Sequence, residues 1–293
     1  MDGLRCVYHG WKFDVRGTCV DMPTEPADSP FRCKIRLGAY PCVERNGVVW
    51  VYMGTRTTPP PLPDLEPNLL SLGAYAVTKA VRECNWMQAL EGDLDTAHVG
   101  FLHLGGADPE ALTPGTPEHY VATMRSPRGY ETADTEFGTS YAAHRPVGEE
   151  QSYWRLGHFL FPCYTILPAA DLRSQILVRC WVPVDDENTM FWSMVVPRSL
   201  QTAFGRDKPE EAKAPGLTLG ISFLPDAGDW RGCFRSSQNK DNDYRIDRRV
   251  QATGSFTGIE GIFQQDAAVT ESMGPIVVSR PRKVSRWSTG PTS

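Results

Sequence analysis

Two histidines and several acidic residues are concentrated in one proline-free stretch, Asn85–His103, which reads NWMQALEGDLDTAHVGFLH. Its residue types predict a helix, on which Asp95 and His98 would lie about 60° apart and so share one face. His98 and His103 would be separated by roughly 140° on an ideal helix. The two imidazoles can therefore converge on one point only if the helix ends or bulges, for example near Gly100.

Convergence of these side chains would give them a specific chemistry. Two histidines and one carboxylate distant in sequence form the ligand set of non-haem Fe(II) oxygenases, in which the metal keeps open positions for oxygen. The same stretch is also compatible with a buried amphipathic helix whose histidines make ordinary hydrogen bonds. The histidine pair alone does not distinguish these two interpretations.

A second group of potential ligands lies in the hexapeptide Cys6-Val-Tyr-His9-Gly-Trp. In a Rieske [2Fe–2S] centre, two cysteines bind one iron and two histidines bind the other. The full signature combines a Cys-x-His pair with a later Cys-x-x-His pair, and Cys6 and His9 match the later half. Half of a zinc site would have the same spacing, but its coincidence with Asp95-x-x-His98-x4-His103 is not expected by chance.

With both motifs present, the chain resembles the catalytic α subunits of Rieske non-haem iron oxygenases, especially the phthalate and phenoxybenzoate dioxygenase branch. The resemblance extends from about Gly3 to Ile276, and further matching stretches are Gly47–Gly54, Asn239–Gln251 and Gln265–Ile276. It implies an α+β fold in which a partial Rieske β domain precedes a helix-grip catalytic domain, an antiparallel sheet wrapped around helices.

The resemblance and the proline pattern together predict four segments. Residues 1–54 correspond to the C-terminal half of a Rieske domain, 55–68 to a proline-rich linker, 69–276 to the mononuclear-iron catalytic domain, and 277–293 to a divergent tail expected to be disordered. Within them, Arg45-Asn46-Gly47 predicts a hairpin turn, and 104–118 and 198–216 predict surface loops. Because the chain offers only the second ligand loop, it is expected not to complete a four-ligand cluster alone.

The resemblance also implies a role for each candidate residue. His98, His103 and Asp266 would bind mononuclear Fe(II), and Cys6 and His9 would bind the [2Fe–2S] cluster. Asp95 would be the catalytic bridge between His9 of a neighbouring subunit and His98. Without the resemblance, Asp95 could equally be an acidic residue favoured by a helix dipole, and Asp266 an exposed residue on the helix predicted at Phe263–Met273.

The function implied is that of an oxygenase component. It would use O2 and electrons from an NAD(P)H-dependent reductase to hydroxylate, or oxidatively O-demethylate, an aromatic substrate that is expected to be carboxylated. A homotrimer or stacked trimers would bring the two metal sites of neighbouring subunits together. Two alternatives remain: a truncated, non-catalytic remnant that binds at most the mononuclear iron, and a zinc hydrolase, which leaves the segment Cys6–Trp11 unexplained.

Composition excludes several other classes. A formal net charge of -5 provides no basic face of the kind that nucleic-acid binding requires. No apolar run approaches the roughly 18 residues of a membrane span. The eight cysteines are scattered over 293 residues, which is typical of free thiols in a reducing compartment rather than of a disulfide-stapled secreted domain. The sequence therefore predicts a cytoplasmic protein with no nucleic-acid or membrane partner.

Overall fold

A computed structural model describes residues 3–69, 76–103, 110, 112–123, 127–167, 175–197, 220–274 and 276. The backbone contacts divide the chain into two compact units, Met1–Leu72 and Gly73–Ser293. The predicted tail at 277–293, the loop at 198–216 and residues 104–109 and 111 of the loop at 104–118 lie outside the described residues.

The first unit is built from short strands. Its elements are β1 (Leu4–Arg5), β2 (Lys12–Phe13), β3 (Cys19–Asp21), a 3₁₀ helix (Pro30–Lys34), β4 (Cys42–Arg45), β5 (Val48–Val51) and α1 (Glu66–Leu69). Strands β1 to β3 form one antiparallel sheet, and β4 pairs with β5. Asn46 and Gly47 connect β4 to β5 with φ of 55° and 78°. These positive values are those of a tight hairpin turn, so the predicted hairpin is confirmed.

The second unit contains one large sheet with helices. Its elements are β6 (Ala76–Arg82), α2 (Trp86–Leu94), α3 (Val99–Leu102), α4 (Pro117–Thr123), β7 (Gly129–Thr135), β8 (Gly138–Val147), β9 (Gln151–Leu160), β10 (Tyr164–Ile166), β11 (Gln175–Pro183), β12 (Thr189–Pro197), a 3₁₀ helix (Lys240–Arg245), α5 (Arg248–Thr253) and α6 (Ile262–Ser272). The strand order is β6-β12-β11-β10-β9-β8-β7, and every neighbouring pair is antiparallel.

Helices α2 and α6 bury their apolar faces against this sheet. The main core consists of side chains from both helices, from strands β6, β11 and β12, and from the turn after β6: Ala80, Cys84, Ala89, Leu90, Trp181, Phe191 and Phe263. Removal of such side chains from water is the main stabilising contribution to the unit. The predicted α+β class, with an antiparallel sheet packed on helices after a small β unit, is confirmed.

The helical stretch predicted at Asn85–His103 is interrupted, as convergence of its histidines requires, but the interruption lies before the position suggested near Gly100. Helix α2 ends at Leu94 and α3 begins at Val99, so the chain turns at Asp95–His98 rather than at Gly100. The helix predicted at Phe263–Met273 is confirmed as α6 within one residue at each end. Among the residues that the structure describes, no helix is both long and apolar enough to cross a membrane.

Candidate metal centre

The structure brings together three of the residues that the sequence singled out. His98, His103 and Asp266 each place one donor atom within 4.8 Å of the others. The distance to Asp266 Oδ1 is 3.6 Å from His98 Nε2 and 3.4 Å from His103 Nε2. Two ligand atoms bound at about 2.0–2.2 Å to one ion lie roughly 3–3.6 Å apart. Both distances from Asp266 therefore fit a metal ion that this carboxylate would share with the two imidazoles.

The break between α2 and α3 makes this convergence possible. Asp95 ends α2, and its Oδ1 and Oδ2 accept hydrogen bonds of 2.9 Å from the N–H groups of Ala97 and His98. This side chain satisfies two backbone donors of the turn between the helices, so it stabilises that turn. His98 and His103 consequently flank the two ends of α3, and the 140° separation expected on one helix does not arise.

Asp95 also orients His98. Its Oδ2 lies 3.1 Å from His98 Nδ1, which leaves Nε2 facing Asp266. Burial alone would raise the pKa of Asp95, but the hydrogen bonds from His98 and Ala97 lower it to about 2. Burial also disfavours the charged form of His98, yet the hydrogen bond to Asp95 and the charge of Asp266 raise the pKa of His98 above its ordinary value.

Asp266 supplies the negative charge of the group. Burial would raise its pKa, but the adjacent imidazoles of His103 and His98 together lower it. Asp266 is therefore ionised at neutral pH. One carboxylate and two neutral imidazoles give a divalent ion three ligands and little excess charge, which is the donor set that suits Fe(II) with open positions. The residues thus fit the metal implied by the sequence motif.

A cavity of about 310 Å³ lies beside this group. Its walls include Asp95, His98 and Asp266 together with the apolar side chains of Trp181 and Val269. Ligand cavities in proteins start at about this volume, are mostly apolar and carry a few placed polar groups. The cavity is therefore large enough for a small aromatic compound next to the metal position.

Asp93 is a buried acidic residue that the sequence motifs did not reveal. Its carboxylate is 3% exposed and accepts hydrogen bonds from Arg179, Thr165 and Trp181, the last at 3.1 Å. These partners lie on β10 and β11, so Asp93 ties α2 to the sheet directly before the turn at Asp95. In the sequence, its burial was indicated only by its helical spacing from Ala89 and Leu90, which lie on the buried face of α2.

Cys6 and His9 lie together on a turn after β1. The N–H of Cys6 donates to Trp11 O at 2.8 Å, and that of Gly10 donates to Cys6 O at 3.0 Å. Both candidate ligands are exposed. Within the described residues, only His98, His103 and Asp266 form a group of three or more potential ligands. The turn therefore offers two of the four ligands that a Rieske cluster requires.

Comparison with protein families matches both units. The family described as "LigXa C-terminal domain like" matches residues 51–285, and the family "Rieske [2Fe-2S] domain" matches residues 1–41. The first match continues past Ile276, where the resemblance was expected to stop. Together they cover most of the chain.

Named relatives and solved structures agree with these families. The chain is 43% identical over 281 residues to the 3-chlorobenzoate-3,4-dioxygenase oxygenase subunit of Comamonas testosteroni, covering 94% of this chain and 64% of the relative. It is 34% identical over 285 residues to the phthalate 4,5-dioxygenase oxygenase subunit of Pseudomonas putida, covering 94% and 61%. Dicamba monooxygenase has a similar fold, with a TM-score of 0.53, 17% identity and coverage of 92% and 70%.

A Rieske segment, a helix-grip sheet and a two-histidine, one-aspartate group together define the class of Rieske non-haem iron oxygenases. Within that class, the chain belongs to the family whose catalytic domain is LigXa C-terminal domain like, as the match over residues 51–285 shows. The resemblance inferred from the motifs is confirmed. The chain spans 64% and 61% of the length of the two relatives named above.

Proposed function

We propose that this chain is part of the oxygenase component of a Rieske-type aromatic oxygenase. The convergence of His98, His103 and Asp266 beside a cavity carries the proposal. The substrate would be hydroxylated, or oxidatively O-demethylated, with O2 and electrons from an NAD(P)H-dependent reductase. Relatives named for 3-chlorobenzoate, phthalate and phenoxybenzoate support an aromatic substrate that carries a carboxylate. A cytoplasmic location remains a prediction from the free cysteines.

The proposed ligands are Nε2 of His98, Nε2 of His103 and Oδ1 of Asp266. Iron bound there would supply a centre at which O2 and substrate meet. The chain's own contribution is to hold the three donors at the spacing of one ion, to keep Asp266 ionised and to shape the adjoining cavity. Cys6 and His9 would contribute one cysteine and one histidine to a [2Fe–2S] cluster.

Asp95 would connect the two metal sites of neighbouring subunits. Its carboxylate bonds to His98 while 42% of its side chain stays exposed, so it can also meet a donor from outside this chain. His9, itself exposed, would be that donor in a neighbouring copy. This arrangement requires an oligomer, for which we propose a homotrimer or stacked trimers.

The iron site is tested by replacing one ligand. We expect Asp266→Ala to lose most of the Fe(II) that the unmodified protein retains after anaerobic loading and desalting, because two imidazoles alone hold Fe(II) weakly. Glu260→Ala is the matched control, since Glu260 is an exposed acid just before α6. Metal content is measured by elemental analysis. A folded Asp266→Ala protein with full iron occupancy would falsify the assignment. If the unmodified protein retains zinc but not iron, the hydrolase alternative is favoured.

A further inference from the structure

Gln265 lies next to the candidate ligand Asp266 on α6 but faces a different partner. Its side chain is buried, with the residue only 5% exposed. Its Oε1 lies 2.5 Å from His103 Nδ1, and its Nε2 donates to Ile259 O at 2.8 Å. Gln265 therefore joins a backbone carbonyl on one side to an imidazole of the metal group on the other.

The carbonyl of Ile259 determines which way the amide of Gln265 points. A carbonyl oxygen can only accept a hydrogen bond, so the NH2 group of Gln265 must face it. The reversed amide would bring two oxygens together at the same 2.8 Å with no proton between them. Oε1 of Gln265 consequently faces His103, and it too can only accept.

That acceptor in turn determines the protonation of His103. A hydrogen bond to Gln265 Oε1 requires a proton on Nδ1 of His103. A neutral imidazole carries one N–H, so Nε2 is left with its lone pair, and Nε2 is the atom that lies 3.4 Å from Asp266 Oδ1. The hydrogen bond therefore leaves His103 ready to bind a metal through Nε2.

The loop before α6 keeps the carbonyl of Ile259 in place. Gly258 has φ of +69°, and a Cβ at this position would lie 2.4 Å from Asp247 O. Gly258 O also accepts a 2.9 Å hydrogen bond from the N–H of Asp247. The loop can follow this path because glycine tolerates positive φ. Ile259 itself is 6% exposed and packs in a small core with Tyr244 and Ala267.

We propose that Gln265 is a positioning residue that fixes His103 as the Nδ1–H tautomer and aims its Nε2 at the metal. The inference rests on the proposed iron site. It gives each histidine its own acceptor at Nδ1: the charged, half-exposed Asp95 for His98 and the neutral, buried Gln265 for His103. The neutral acceptor orients His103 without adding a second buried negative charge beside Asp266.

The test compares two adjacent buried glutamines. Gln265→Met keeps an unbranched side chain of similar length but removes the acceptor for His103. Gln264→Met is the matched control, because Gln264 is fully buried and donates to Gly220 O at 3.2 Å, away from both imidazoles. Fe(II) affinity is measured anaerobically against a competing chelator. We expect Gln265→Met to lose about 10–100-fold and Gln264→Met to stay within about twofold of the unmodified protein.

Gln265→Glu adds a rescue and a spectroscopic readout. A protonated carboxyl group can donate to Ile259 O through one oxygen and accept from His103 Nδ1 through the other, so this variant should recover most of the affinity lost in Gln265→Met. The visible ligand-field spectrum of the Co(II)-loaded protein should change in Gln265→Met and be close to that of the unmodified protein in Gln265→Glu. Unchanged Fe(II) affinity and an unchanged Co(II) spectrum in Gln265→Met would overturn the positioning role.

A measurement without any variant covers the case in which Gln265→Met does not fold. Nitrogen-15 NMR of the unmodified, metal-free protein reports which nitrogen of His103 carries the proton, and we expect Nδ1. A proton on Nε2 in the neutral imidazole would overturn the proposal. If the unmodified protein binds no Fe(II), the proposed iron site fails, whereas the tautomer measurement still decides the role of Gln265.

Discussion

At the scale of single residues, Asp95 performs two tasks with one carboxylate. It accepts hydrogen bonds from the backbone N–H groups of Ala97 and His98, and it holds the imidazole of His98. The ligands of the metal are other residues, so Asp95 should matter for the connection between sites more than for metal binding. A substitution that keeps its shape can separate these contributions.

We predict that Asp95→Asn, in a form of the protein that contains a complete Rieske cluster, keeps its cluster and its iron but transfers electrons between them slowly. The side-chain oxygen of asparagine can still accept from the N–H of Ala97, so the turn before α3 should persist. It loses the charge and one acceptor oxygen, which weakens the bridge between His98 and His9 of a neighbouring subunit. A change next to a ligand typically costs about 10–100-fold in affinity or activity.

The measurement is single-turnover oxidation of a pre-reduced cluster in the presence of substrate and oxygen. Glu260→Gln is the control, because it also neutralises an exposed acid of the same unit. Cluster oxidation at the rate of the unmodified protein would leave Asp95 with only its local role in shaping the turn.

At the scale of elements, the position of α2 depends on a buried ion pair. Asp93 and Arg179 are 3% and 13% exposed, and Thr165 and Trp181 complete the hydrogen bonds of the carboxylate. Breaking a buried pair leaves one charge without compensation and typically costs about 3–5 kcal/mol. We therefore expect Asp93→Ala to lower the free energy of unfolding by about that amount, measured by urea denaturation.

Two further variants make this prediction specific to the ion pair. Met87→Ala removes a 42% exposed side chain from the same helix and should change the free energy of unfolding by less than about 1 kcal/mol. The double variant Asp93→Leu with Arg179→Met should cost less than Asp93→Ala, because no unpaired charge remains buried. A double variant as unstable as Asp93→Ala would mean that packing, not charge, is responsible.

Local patterns predicted some elements and missed others for identifiable reasons. The hairpin at Asn46-Gly47 follows from the preference of these two residues for positive φ. Helix α6 follows from a run of helix-compatible residues that is terminated by Gly274. The break at Asp95 was missed because helical periodicity does not register a side chain that accepts hydrogen bonds from the backbone of the following turn. The partners of Asp93 and Gln265 are contributed by distant strands and by a loop, and no spacing rule within one helix identifies such contacts.

Of the candidate site, the motif and the family resemblance supplied His98, His103, Asp95 and Asp266, whereas the residues around them emerged only from the structure. Asp266 is far from the histidines in sequence, and only the packing of α6 beside α2 and α3 brings it to them. Buried polar residues in a helix look like any other polar residue until their partners are known.

At the scale of the whole molecule, the chain consists of two compact units whose candidate metal ligands are separate. All three proposed iron ligands lie in the second unit, Gly73–Ser293, and each is held by contacts within that unit. Cys6 and His9 lie in the first unit, and residues 1–293 contain no Cys-x-His pair to complete a Rieske signature. The two metals should therefore be separable in this polypeptide.

We accordingly predict that a polypeptide of these 293 residues binds mononuclear iron but shows no Rieske electron paramagnetic resonance signal after reduction. Two ligands hold a [2Fe–2S] cluster too poorly for it to persist, because each of its irons needs two protein ligands. Fusing the Cys-x-His segment of a relative ahead of residue 3 should restore the signal, and Cys6→Ser in that fusion should abolish it while leaving the mononuclear iron in place. A Rieske signal from the 293-residue polypeptide itself would show that other side chains complete the cluster. Loss of iron together with the signal in Cys6→Ser would instead show that the two metal sites depend on each other.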